Sequence, residues 1–276
     1  MVIKKFLKHK TFLFSFIILL PVIVVALIGP LIIPYDPVEV DSKAILQKSL
    51  PGHPLGTDEY GRDILSRLIL GIRPTMLVAI GATAIAFFGG VTIGTVAGYV
   101  RGLTETFLMR AIDLIMCFPA ILLAMMVVGF WGAGVKNLVI IIGLLAIPGF
   151  ARIAHSSTLQ VKGLEYVQSE LSLGASHFRV IRKVILPNIM SPLTIQISLT
   201  FAGAILTESG LSFLGLGVIP PTPSWGQMIG DARGYIYNNP MYVIWPSLCL
   251  GITMLAINLM GDSFRDILDP KLKSKQ

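Results

Sequence analysis

Residues 11–33 form a run of 23 without a charged side chain, and further uncharged apolar runs follow at 74–100, 114–135, 137–151, 188–207 and 241–260. A helix needs about 20 mostly apolar residues to cross the hydrocarbon of a bilayer. Inside lipid every backbone N–H and C=O must find its partner within the protein, so runs of this kind are helices. The expected fold is therefore an all-α membrane protein with six transmembrane helices. Composition agrees: charged residues are 13% of the chain, about half the share in a soluble domain. The first run is too long for the core of a signal peptide, and no small-residue cleavage site follows it, so it is expected to remain as a span. The fourth run is short and is expected to continue past Arg152 toward Leu159.

Six spans place both termini on one side. With the N-terminus in the cytoplasm, 15 of the 22 Lys and Arg residues fall in inner segments: Lys4, Lys5, Lys8, Lys10, Arg101, Arg110, Arg152, Lys162, Arg179, Arg182, Lys183, Arg265, Lys271, Lys273 and Lys275. That asymmetry favours cytoplasmic termini by the positive-inside bias. It also accounts for the net charge of +7 without nucleic acid, since the basic residues are scattered and not interleaved with exposed aromatics. Membrane lipid, and no nucleic acid, is the expected surrounding. Cys117 and Cys249 lie within apolar runs and read as small hydrophobes.

Between the fourth and fifth spans stands GLEYVQSELSLGASHFRVIRKVILPN, residues 163–188, with Glu165, Glu170, Arg179, Arg182 and Lys183 in it. On the orientation above it lies in the cytoplasm. It reads as two short amphipathic helices: Leu164, Val167 and Leu171 share one face, and Phe178, Ile181 and Ile185 another. Gly174 separates them, and Pro187 with Asn188 is expected to end the second before the fifth span. Such a segment either lies on the inner leaflet, drawn by its basic residues, or docks a soluble partner.

The second span carries Gly90, Gly94 and Gly98, four apart on one face; this is a seam for close helix approach or only the glycine content usual in such helices. In the fifth, Thr194, Gln196, Ser198 and Thr200 alternate, so they cannot share one face, but Thr194 with Ser198, or Gln196 with Thr200, can. They are candidates for a solute path or for hydrogen bonds between helices. The outer loop 212–240 is rich in Gly and Pro, with Trp225 and Tyr235 suited to the membrane–water interface.

No chemistry for powering transport is visible. There is no Gly-Lys dipeptide and hence no phosphate-cradling loop, no H-E-x-x-H, no G-x-S-x-G, and no Cys/His cluster at zinc spacing. His9, His53, His155 and His177 are expected to be solvated loop residues. No catalytic and no metal site is expected. An ion-coupled carrier is the rival reading, but it requires ionisable groups near the midplane. Asp113 and Glu208 are the only acids near a span, both toward span ends, and no internal repeat is present.

The pattern EYVQSELSLGAS followed by ILP resembles the E-A-A…G…I-x-L-P loop of the inner-membrane permease subunits of ABC importers. HPLGTDEYGRDILSRLILGIR (residues 53–73), ESGLSFLGLGVIPPTPSWGQMI (208–229) and NLMGDSFRDILDPKL (258–272) are similar to the C-type permease of dipeptide, oligopeptide and nickel uptake systems. The resemblance runs from about Tyr35 to Leu272. It implies an N-terminal tail and first helix at 1–33, an external segment at 34–73, a permease core at 74–272 with a coupling loop at 160–187, and a tail at 273–276. It implies ATPase coupling through Glu165, Tyr166, Val167, Gln168, Ser169, Glu170, Leu173, Gly174, Ala175 and Ser176, where Gly174 and Pro187 match the pattern and the acidic-small-small triplet does not. It implies a translocation path with Thr194, Gln196, Ser198, Thr200 and Glu208, and a contact for an extracytoplasmic substrate-binding protein at Pro221, Ser224, Trp225, Asp231 and Arg233. The implied partners are a homologous B-type permease and two ABC ATPase subunits, which would bind ATP and Mg; the chain itself would bind no cofactor. The implied cargo is a di- or oligopeptide, with nickel or another small solute as the alternative.

Overall fold

Hydropathy sets the number of helices, but capping and proline set their ends. The computed structural model of the chain describes residues 9–49 and 51–268; Lys4, Lys5, Lys8, Lys271, Lys273, Lys275 and the tail from 273 lie outside them. Among the described residues there are nine α-helical segments, α1 Lys10–Ile32, α2 Ile64–Val100, α3 Gly102–Met116, α4 Ala120–Trp131, α5 Val135–Lys162, α6 Glu165–Ser172, α7 His177–Phe213, α8 Trp225–Ala232 and α9 Pro240–Leu268, and a 3-10 turn at Arg233–Tyr235. Among the described residues there is no strand, only an isolated bridge between Thr57 and Asp63. Five helices are long and apolar enough to cross a membrane, and six spans result if the bent pair α3–α4 counts as one.

The boundaries differ from the sequence expectation at three places. The second span does not begin at Pro74. It begins at Ile64, because the Asp63 side chain accepts the Ser66 N–H and caps a helix that then runs through Pro74. Arg67 and Arg73 are therefore helical. The third span is not one rod: α3 and α4 meet at 86°. Pro119 cannot continue a helix, and it pushes the preceding Phe118 out of the helical region. The fifth span does not start at Asn188. Its helix runs on from His177 through a π-helical turn at Ile181–Ile185. The widened turn, closed by Leu186 N–H to the Ile181 carbonyl, makes room for the Pro187 ring, which would otherwise strike the preceding carbonyls.

The tightest packing joins α2 to α5, and the glycines make it. A Cβ at Gly90 would lie 2.5 Å from Cβ of Phe150, one at Gly98 would lie 2.8 Å from the His155 carbonyl, and one at Gly94 would strike the Ala151 carbonyl. The seam read from sequence is real, and Gly81 against Val139 and Gly143 against Ile85 extend it. Arg152 and His155 stay helical within α5 because each has a partner on α3: Arg152 to Asp113 at 2.8 Å, and His155 Nε2 to Glu105 at 2.8 Å. His155 is thus no loop residue.

One end of the bundle is closed by residues 34–63 and 214–239. The charged residues of 58–67 form a buried cluster there. Asp58 pairs with Arg62 at 2.6 Å and with Arg67 at 3.3 Å, Arg67 also donates to the Pro37 carbonyl at 3.1 Å, and the Tyr242 hydroxyl donates to Glu59 at 2.5 Å. Arg67 is fully buried, so this pairing is what permits its charge inside the protein.

Candidate functional site: an exposed elbow and a cleft

At the opposite end of the bundle, α6 and the start of α7 form an elbow. Leu164 N-caps α6, and the helix closes on Gly174, whose φ of +83° is open to glycine at little cost. Ala175 N–H reaches the Glu170 carbonyl at 3.1 Å and Gly174 N–H that of Leu171 at 3.0 Å, the six-to-one closure common where a helix ends in glycine. The Ser176 hydroxyl then accepts Arg179 N–H at 3.4 Å and caps α7. The elbow is a fixed turn between two capped helices.

Its anchoring is narrow. Val167, Val180 and Ile185 are fully buried, packed with Tyr99, Phe150 and Ala154. The amphipathic faces are only partly as expected. Val167 and Leu171 turn inward, while Leu164 is 46% exposed; Ile185 is buried, but Phe178 is 71% exposed because the π turn shifts the register between them. The outer surface carries Tyr166 and Leu173, the latter 86% exposed, with Glu165, Ser169 and Gln168. Gln168 donates to the Lys162 carbonyl and Ser169 to that of Glu165, so the polar side chains hold the elbow's own backbone. A Cβ on Gly174 meets nothing within 4 Å.

A second feature is a cleft of about 380 Å³ between α5, α7 and the α3–α4 break. Gln196, Thr200 and Thr207 line it from α7, Pro148 and Gly149 from α5, and Phe118 from the break. Gln196 donates to Thr200 Oγ1 at 3.1 Å. The structure thus separates the two candidate pairs in the fifth span. Gln196 and Thr200 face the cleft. Thr194 bonds its own helix at the Met190 carbonyl, and Ser198 packs against Gly261 of α9, where an added Cβ would sit 2.5 Å from Cβ of Ser198.

Glu208 lies elsewhere. It is fully buried, with Thr75 Oγ1 at 3.0 Å and Ser209 Oγ at 3.3 Å on one oxygen and Ser212 Oγ at 2.7 Å on the other. Serine and threonine hydroxyls satisfy it, and it does not line the cleft that Gln196 and Thr200 face. Trp225 is likewise no interface aromatic: it is buried, and its indole N–H donates to the Leu68 carbonyl at 3.0 Å. Ser224, also buried, caps α8 through Gln227 N–H. Of the residues considered for an outer contact, Pro221 and Arg233 are exposed, and Arg233 lies over the Phe213 ring at 6.0 Å. Asp231 is half-buried, and burial, then the neighbouring Glu59, pushes its carboxyl above the ordinary range.

Sequence reasoning missed the polar joints. Among them are Asp58, Arg62 and Arg67 in the buried cluster at one end and Tyr99 with His177 and Lys162 at the other. The first set had a signal in the charge density of TDEYGRD within a charge-poor chain; the second had none, since its members lie far apart in sequence.

Three comparisons bear on these features. Residues 90–274 match the family described as binding-protein-dependent transport system inner membrane component, and residues 1–51 match the N-terminal TM domain of oligopeptide transport permease C. The chain is 37% identical to the glutathione transport system permease protein of Pectobacterium atrosepticum, over 98% of this chain and 90% of that one. It is 38% identical to the di/tripeptide transport system permease protein of Pseudomonas aeruginosa, over 98% and 91%. In fold it is similar to a chain of the MetNI methionine ABC transporter in an inward-facing conformation, with a TM-score of 0.63, 19% identity, and coverage of 75% of this chain and 98% of that one.

Proposed function

The chain belongs to the binding-protein-dependent transport system inner membrane components, multi-pass permease subunits and not enzymes, and from that premise we propose that it forms half of the path of an ATP-driven importer of short peptides. The peptide cargo is supported by what the relatives are named for: di- and tripeptides in one, glutathione, itself a small peptide, in another. A homologous permease completes the path opposite the cleft, two ATPase subunits bind ATP and its magnesium, and a substrate-binding protein delivers the cargo. The chain itself takes no cofactor. The elbow is cytoplasmic, in keeping with the distribution of Lys and Arg, and the charged cluster of residues 58–67 faces outward.

One observation carries the coupling role. Tyr166 and Leu173 stand exposed on a rigid turn outside every spanning helix, at 45% and 86%, while Val167 beside them is fully buried. Large apolar side chains held out on a stiff element suit a protein partner better than water. The elbow is therefore the lever on which an ATPase acts, through the segment from Glu165 to Ser176. When the ATPases close, the lever shifts, α7 and α5 change their separation, and Gln196 and Thr200 offer neutral hydrogen bonds to a passing peptide backbone.

Replacing Gly174 with valine tests this. The left-handed backbone there disfavours a β-branched residue, so the turn must rearrange. Membrane insertion is expected to persist, while retention of the ATPases and uptake of labelled dipeptide fall. Unaltered uptake would remove the docking role, and uptake by the purified chain alone on a proton gradient would remove the importer reading.

A further inference from the structure

The cleft has α7 as one wall and α5, which the α2 glycines weld to α2, as another, with the α3–α4 break beside them. Among the described residues, two side-chain hydrogen bonds join α7 to α2, one near each end of α7. At the outer end Thr75 donates to Glu208, in a fully buried site that Ser209 and Ser212 complete. At the inner end the Tyr99 hydroxyl meets His177 Nδ1 at 2.7 Å. The two ends differ in kind. The outer joint has several hydroxyls on one carboxylate and no access to water; the inner joint is a single bond to a histidine that opens α7 on an exposed surface.

We propose that Tyr99–His177 is a releasable latch and Glu208–Thr75 the fixed pivot about which α7 turns when the elbow is pulled. This rests on the docking role given to the elbow above. His177 follows the capping Ser176 directly, so displacement of the elbow acts on this bond first. Tyr99 is held from the other side: Lys162 Nζ donates to its carbonyl at 2.6 Å and lies 5.0 Å from its ring centre. The tyrosine thus stays with α2 and α5 while the histidine leaves. Breaking the single half-buried bond costs less, because water reaches the exposed His177, whereas opening the fully buried Glu208 site would strip a carboxylate of several hydroxyl donors. With the pivot near one end of a long helix and the latch near the other, a small movement at the elbow alters the cleft at Gln196 and Thr200 between them. Tyr99 and His177 are positioning residues; neither touches cargo.

The experiment uses the complete transporter, with its permease partner, ATPases and binding protein, in liposomes, and reads peptide transported per ATP hydrolysed. Tyr99→Phe and His177→Leu are each expected to lower that ratio roughly two- to tenfold, the range that the net strength of one hydrogen bond supports. The double variant is expected to be no worse than either single one, and His177→Asn, which keeps an acceptor near Nδ1, is expected to recover most of the ratio. An unchanged ratio, or losses that multiply in the double variant, would overturn the latch. Gly174→Val runs beside them. If it uncouples while the Tyr99 and His177 variants do not, the latch alone fails; if it too leaves uptake unaltered, the docking role fails first.

Discussion

Two helices of eight residues lie outside the spans, α8 at one end of the bundle and α6 at the other, and they are built in opposite ways. In α8, Trp225, Gly226, Met228 and Ala232 are buried, and Gly226 and Gly230 press on the backbone of Ser209 and Phe213 in α7. In α6 only Val167 is buried, and the glycine that ends it faces open space. Length and sequence position do not distinguish the two. The difference lies in what each covers: α8 fills the end of the bundle, whereas α6 touches it along one edge and leaves Tyr166 and Leu173 free. A welded helix moves only with its span; a helix held at one edge can be moved by something else.

That contrast breaks first at Gly226. Valine there puts side-chain atoms onto the Ser209 carbonyl and Cα, beyond the about 1–3 kcal/mol typical of overpacking, so the yield of folded protein in membranes should collapse. If Gly226→Val were as well tolerated for folding as Gly174→Val, α8 would not be welded. Next is Glu208→Ala, which takes the shared acceptor from the hydroxyls of Thr75, Ser209 and Ser212; Thr75 keeps the Gly71 carbonyl at 3.4 Å, and at about 1–3 kcal/mol for a group left unsatisfied a clear fall in thermal unfolding temperature in detergent is expected.

Asp231→Asn should do the reverse, and by less. Because burial and Glu59 raise the carboxyl's pKa in the folded state, its protonated form is the favoured one. That contribution is complete below the unfolded pKa and is lost as pH rises through the folded value. The variant should therefore melt slightly above the wild type at neutral pH, with the gap closing as pH is lowered. A variant that melted below the wild type at neutral pH would mean that Arg62 and Arg67, not burial, dominate. Smallest of all on stability is Leu173→Asp, expected within about 0.5 kcal/mol as an exposed change, yet ATPase retention on affinity purification should drop. Equal retention would make the exposed leucine incidental.

Much of this was legible beforehand because it is local. The glycine seam on α2 and the turn at Gly174 each depend on a few neighbouring residues, and each stands where the sequence put it, whereas the apolar runs are helical with shifted or broken ends. Proline was read less well: Pro119 breaks its span, while Pro74 and Pro187 do not, since an Asp63 cap and a π turn accommodate them. The site was legible as a segment and not as a set of contacts. Trp225, Ser224 and Glu208 looked like surface or path residues and are enclosed, because an aromatic or an acid near a span end can be rotated toward either.

By itself the sequence determined which runs are apolar helices, where the turn at Gly174 lies and which helix face admits a close neighbour. These follow from transfer free energy and backbone sterics, which act residue by residue. Only the tertiary structure decided that Gln196 and Thr200, not Thr194 and Ser198, face the cleft, and that Tyr99 meets His177 across the bundle. The rotation of one helix about its axis against another is set by packing all of them together, and no single stretch of chain contains it.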